Sequence, residues 1–248
     1  MRKEKWIFPK EYKQRADLFP YKIFPQGIFL QINEHEHLFL FEDERLCTVQ
    51  IELKTALSEK EYEELQHLNQ HIFKLETDNY RIIYLHMGTF AIISAITGVI
   101  LASVVNWAYQ HKSGRVYTED REYKFERNTA CGQVEILRRR ADVSYISYND
   151  VAVDEQKTWT SSFIKHAPTL VIEIVSSAKS LQTELNKMNE VWMKQGTRLG
   201  LVICPYSKKV YIFENNQAQY REQSIFESFT HSLLSGYNGD FSKYVNEL

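Results

Sequence analysis

Cysteine is scarce in this chain: Cys47, Cys131 and Cys204 are odd in number and far apart. That spacing suits neither a disulfide framework nor a zinc site, and it fits a reducing, intracellular compartment, the cytoplasm or, in a eukaryotic source, the nucleus. An excess of positive charge is missing too. The 30 Lys and Arg stand against 32 Asp and Glu, for a formal charge of −2. No global field advertises a polyanionic partner, so any nucleic-acid surface must be local. Also absent are the patterns G-x-x-x-x-G-K-[ST], G-x-G-x-x-G and G-x-S-x-G, which disfavours P-loop nucleotide hydrolysis, dinucleotide redox chemistry and serine esterase chemistry. There is no internal repeat and no low-complexity tract. The opening MRKEKWIFPKEYKQ has no apolar run followed by small residues, so no secretory leader is expected there.

What the chain does have is length for a substantial core, 248 residues, and one uncharged apolar run from Thr89 to Tyr109. That run is long enough to cross a bilayer of roughly 30 Å. It includes Thr89, Ser94, Thr97, Gly98, Ser103 and Asn106, and polar, alternating chain flanks it on both sides. A helix apolar nearly all round also occurs sandwiched inside a large soluble domain. A buried helix is therefore expected, with no membrane partner.

Residues 1–57 contain Pro9, Pro20 and Pro25 and then three β-type runs, GIFLQI, HLFLF and CTVQIEL, separated by turns at Asn33–His37 and Glu42–Arg45. They read as a small β-rich N-terminal extension. Ser58 with Glu61 forms a capping box ahead of EYEELQHLNQ, the expected start of a core domain over 58–248. A hairpin follows (HIFKLET, a turn at Asp78-Asn79, YRIIYLH), then the apolar helix and strands near Gly114–Tyr117, Glu122–Phe125 and Arg140–Ile146. Beyond these come a strand at Thr169–Val175, a helix at about Ser180–Lys194, and the strand pair LGLVIC and KVYIF. The expected fold class is α/β, a mixed sheet with helices on its faces.

Two acids break the apolar pattern. TLVIEIVS reads as a central strand covered on both faces, yet Glu173 sits in its middle. A carboxylate there must be paired, protonated, bound to a cation or placed at an open strand end, and a structural ion pair is one of these outcomes. In RRRADVSYI, Asp142 precedes Val143 and Tyr145 on a second strand. Two acids on neighbouring strands can converge on one ion, and hard oxygen ligands favour Mg²⁺, Mn²⁺ or Ca²⁺ over zinc. Such a pair with its cation is a phosphoryl-transfer arrangement.

The stretches RADVSYIS and TLVIEIVSSAKSLQTELNKMNEVWMKQGTRLGLVICPYSKKVYIFE resemble the Uma-type family of restriction-endonuclease-like proteins, especially its cyanobacterial members, within the PD-(D/E)XK nuclease superfamily. The resemblance extends upstream through HIFKLETDNYRIIYLHMGT, the apolar helix and GRVY, over roughly residues 58–215, with a weaker echo at LLSGYNGDF. It implies a restriction-endonuclease-like mixed-sheet core and a metal-dependent DNA endonuclease using Mg²⁺ or Mn²⁺. It further implies that Asp142 is the motif Asp, Glu173 is the second acid, the main-chain carbonyl of Ile174 completes the metal shell, and Glu76 is an upstream acid brought to the same site. The superfamily's lysine two residues after the second acid is Val175 here. The family resembled also lacks it there, and Lys187 matches the lysine that its members carry on the next helix.

Read from the residues alone, Lys187 lies off the Leu181, Leu185, Met188, Trp192 stripe and better fits a solvated lysine pairing with Glu184. Arg138, Arg139 and Arg140 suit a DNA phosphate backbone or a solvated edge. Glu34-His35-Glu36-His37 has ligand-type side chains but falls at an expected turn. Ala141 stands where the family usually has Pro, SSAKS where it tends to have Ser-Pro-Ser-Asp, and Cys204 where it commonly has Asp. Two functional classes follow: an endonuclease, for which a homodimer would supply the second strand cut, and an inactive nuclease fold serving as a binding or scaffold module.

Overall fold

The structure, a computed structural model, describes residues 2–6, 22–24, 28–32, 37–41, 48–69, 73–87, 91–128, 132–159, 163–215, 217 and 219–247. Cys47, Cys131, the Glu42–Arg45 turn and Glu34, His35 and Glu36 lie outside them. The described chain forms two compact units, one of residues 1–88 and 126–139, the other of residues 89–125 and 140–248.

In the first unit the capping box forms as the sequence predicts. The Ser58 N–H donates to Glu61 Oε2 at 2.6 Å and the Glu61 N–H to Ser58 Oγ at 3.3 Å, satisfying two donors that a first helical turn leaves open. The helix so started, α1 (Glu59–Asn69), buries Tyr62 and Leu65. Strands β1 (Arg2–Trp6), β4 (His37–Phe41) and β3 (Ile28–Ile32) make an antiparallel sheet in that order. A six-stranded sheet runs β2 (Lys22–Phe24), β5 (Thr48–Glu52), β7 (Ile82–Met87), β6 (Phe73–Asp78), β10 (Val134–Arg139), β9 (Tyr123–Asn128); of β9, residues 126–128 belong to this unit and Tyr123, Lys124 and Phe125 to the second. The β6–β7 hairpin turns through Asn79 and Tyr80, both at positive φ (51° and 54°), and Asn79 Oδ1 accepts the Ile136 N–H at 2.8 Å. The boundary expected at 57/58 falls inside this unit, where β5 pairs with β7 from Thr48↔His86 to Glu52↔Ile82.

The second unit is built on a six-stranded sheet: β15 (Arg221–Ser224), β14 (Lys209–Glu214), β13 (Leu199–Cys204), β12 (Leu170–Ile174), β11 (Val143–Ser147), β8 (Gly114–Thr118). Only β12 and β13 run parallel, so the sheet is mixed, as expected. Side chains alternate across it. Val143, Tyr145, Leu170, Ile172 and Leu201 meet α2 (Ala91–His111) in the main core cluster. The alternate residues Ser144, Val171, Glu173, Gly200 and Val202 form the other face. It is covered by the helix that follows the short α3 (Val153–Lys157) in the chain, α4 (Leu181–Lys187), and by the π-helical turn that continues it, Met188–Met193. A Cβ on Gly200 would sit 2.3 Å from Met188 Sδ, so glycine lets this helix lie close to the sheet.

Three expectations are corrected. The strand expected at Arg140–Ile146, with Arg140 and Asp142 on it, is shorter: the chain makes β10 up to Arg139, breaks, and resumes as β11 at Val143. The helix expected to run to Lys194 widens into a π turn after Lys187. Helix α2 has the length and composition to cross a membrane, and it is not buried all round. It buries one stripe, Ile93, Ile96, Ile100, Val104, Trp107 and Ala108, while Ala95, Gly98, Ala102, Val105 and Tyr109 are exposed.

Candidate active site

Val143, the first residue of β11, pairs with Ile172 of antiparallel β12, and Asp142 precedes it just outside the ladder. Continued by one residue, that register leads from Asp142 to Glu173, and opposed residues of an antiparallel pair share one face. The Ile174 N–H donates to Asp142 Oδ2 at 2.7 Å, which fixes that carboxylate against the end of β12. Like charges so placed destabilise a sheet unless something offsets them.

Part of the offset is Lys187. The last residue of α4, it places Nζ 3.1 Å from Glu173 Oε1 and donates to the Arg140 carbonyl at 3.1 Å, with its side chain 14% exposed. The solvated-face alternative for Lys187 is thereby set aside. Glu173 lies within a strand whose five residues are all buried, and its Oε1 also accepts the Trp192 indole N–H at 2.7 Å. Trp192 entered the sequence reading only as an apolar stripe residue. An indole near a strand acid was the available signal, since a buried indole N–H needs an acceptor.

The other expected residues have close partners of their own. Glu76, on β6 of the first unit, has Oε2 at 3.3 Å from His86 Nε2 and 3.8 Å from Arg139 Nε. Arg139 also donates to Asp78 and to the Thr77 carbonyl and lies over the Tyr84 ring. Although burial alone would lower its pKa, the Asp78 and Glu76 carboxylates raise it. Arg138 is fully buried, lies over Tyr62 at 4.7 Å and reaches Glu63 and Glu59 of α1 at 3.8 and 4.0 Å. Neither guanidinium is presented to a phosphate backbone, which corrects the reading of a three-arginine rim. Arg140, in the second unit, pairs with Glu122 at 3.9 Å and keeps 17% of its side chain exposed. Cys204 is a buried free thiol whose sulfur accepts the Ser207 N–H.

Among the described residues no three His, Cys, Asp or Glu gather into a metal cage. The facing pair Asp142 and Glu173 still offers oxygen donors of the kind that a hard divalent cation takes. A half-buried lysine on the same acid suits the handling of water and phosphate.

Comparison with known proteins bears on the same region. Among solved structures, the crystal structure of a "putative nuclease belonging to DUF820" from Anabaena variabilis is similar, with a TM-score of 0.53 at 19% identity over 69% of this chain and 90% of that one. At that identity the likeness speaks for the fold. A search of curated proteins finds no match. The family model described as "Uma2: Putative restriction endonuclease" matches residues 60–239, a span that holds Asp142, Glu173 and Lys187. The chain therefore belongs to the Uma2 family and has a restriction-endonuclease-like α/β fold.

Proposed function

We propose that this protein is a metal-dependent DNA endonuclease, hydrolysing phosphodiester bonds at Asp142, Glu173 and Lys187. The observation that carries the reading is the pair of opposed carboxylates with one lysine between the sheet and its covering helix. Carboxylate oxygens are the donors that a hard divalent cation takes. Mg²⁺ or Mn²⁺ would be held by Asp142 and Glu173 with the Ile174 carbonyl, and when bound it would acidify a water and neutralise charge on the phosphate. In an extended strand the N–H and C=O of one residue point the same way. The Ile174 N–H that reaches Asp142 therefore supports its carbonyl as a further donor. Lys187 donates from α4 toward the same acid and would steady the attacking water. Arg140, adjoining through its carbonyl, is the member of the triplet proposed to meet the DNA backbone. Glu76 is left out of the proposed set because His86 and Arg139 already engage it. A homodimer would bring two single-strand cutters to one duplex.

The second reading, an inactive binding module, draws on the Glu173 charge being already matched by Lys187. One experiment separates the two. Supercoiled plasmid incubated with the wild-type protein and Mg²⁺ or Mn²⁺ is expected to be nicked or linearised, with EDTA or Asp142→Ala stopping the reaction. Equal cutting by Asp142→Ala, or none by the wild type, contradicts the endonuclease reading.

A further inference from the structure

We propose that Trp192 is a positioning residue for Glu173: its indole N–H and the Lys187 ammonium meet on one carboxylate oxygen and set the plane in which Glu173 is presented to the site. The inference rests on the reading of Glu173 as a metal-binding acid.

Geometry supplies the first step. Lys187 and Trp192 are five residues apart, and in an α-helix of 3.6 residues per turn they would point about 140° apart. The chain instead widens into a π turn over Met188–Met193, immediately after Lys187. Turns of this kind hold an extra residue per cycle and occur often at functional sites. Here the widened turn goes with both side chains reaching Glu173 Oε1, at 3.1 Å from Lys187 Nζ and 2.7 Å from Trp192 Nε1.

The indole is itself held rigidly. It is fully buried and takes the rings of Tyr123 and Phe125 edge-on, with centroids 5.3 and 5.8 Å away at 88° and 89°. The Tyr123 hydroxyl shares a 2.7 Å hydrogen bond with Ser144 Oγ, and burial pushes the Tyr123 phenol well up, so it stays protonated. Ser144 shares a sheet face with Asp142. One line of buried side chains, Ser144, Tyr123, Trp192 and Glu173, thus links the strand of one acid to the carboxylate of the other.

The terminal torsion of a Glu is broad, and a lysine on a flexible four-carbon stem follows the carboxylate as it turns. An indole locked by packing does not follow. A donor to a buried carboxylate makes a strong, charge-assisted hydrogen bond, so Trp192 selects one orientation of Glu173 before any cation arrives.

The test uses the full chain and Mn²⁺ alone, titrated by calorimetry into wild type, Trp192→Phe, Glu173→Gln and the double variant, with plasmid cleavage in parallel. Trp192→Phe keeps an aromatic ring and removes the donor. It is expected to weaken Mn²⁺ binding by about tenfold or more, as loss of a ligand's supporting hydrogen bond does, and to lower kcat with KM for DNA little changed. Adding Trp192→Phe to Glu173→Gln should give no further loss. If the smaller ring unfolds the protein, 3-benzothienylalanine at position 192, which has both rings and no N–H, makes the same measurement. Wild-type Mn²⁺ binding and cleavage matched by a donor-less variant would overturn the Trp192 assignment alone. A wild type that neither binds Mn²⁺ nor cuts overturns the function reading and this inference together.

Discussion

A carboxylate inside a fully buried strand makes its neighbours' contributions measurable. Lys187→Met removes the cation from Glu173, whose side chain is 4% exposed, and breaking a buried pair from one side costs about 3–5 kcal/mol. Glu173→Gln leaves an oxygen acceptor for both Lys187 and Trp192 and should cost less, about 1–2 kcal/mol, while abolishing cleavage. The double variant Glu173→Gln/Lys187→Met has no buried charge at this point and is expected to be more stable than Lys187→Met. Urea unfolding of the four proteins in metal-free buffer checks this; purely additive losses would mean that the two side chains do not interact. At this scale the sequence told that Glu173 needs a partner, because a lone charge in an apolar strand is too costly. It named Lys187 only through the family resemblance. It left Trp192 on the apolar stripe, because helical periodicity does not contain the π turn that goes with its reaching Glu173. Arg138 and Arg139 were misread because their matches lie far away in sequence, at Glu59 and Glu63 for one and Asp78 for the other.

Elements were more legible than their edges. The capping box, the β6–β7 hairpin, α2 and the apolar strands β12 and β13 follow from local pattern, whereas β1, β2, β10 and β15 were missed. The β10 segment VEILRR carries two adjacent buried arginines where an alternating strand would show one. Two predictions belong here. Gly200→Ala places a methyl against the buried Met188, and overpacking of this kind costs about 1–3 kcal/mol; a thermal melt checks it, and an unchanged transition would mean that α4 has room to lift. Deleting residues 1–57 removes β5, whose Val49 and Ile51 are fully buried, and bares the edge of β7. A chain beginning at Ser58 is expected to sediment with aggregates when the full chain stays in solution, and a well-behaved monomer would show that β7 tolerates an open edge.

For the molecule as a whole, the chain passes between its two units at residues 88/89, 125/126 and 139/140, and no linker composition marks these crossings. That is why a single boundary near Ser58 looked sufficient: the family match begins at residue 60, while the compact unit runs through that point. With a formal charge of −2 and Arg138 and Arg139 buried, Arg140 is the member of the triplet proposed for the phosphate backbone. The logarithm of DNA affinity, measured by anisotropy in EDTA, should fall with log salt at a slope of about −3 or shallower. A much steeper slope would reveal a basic surface outside the site described.

The central claim is that Asp142 and Glu173 share one divalent ion. Calorimetric titration of Mn²⁺ into the wild type, Asp142→Ala and Glu173→Gln tests it most directly, with circular dichroism confirming that all three are folded. One ion per chain in the wild type and none in either folded variant is the predicted result. Binding that persists unchanged in both variants, or no binding by the wild type, would contradict it.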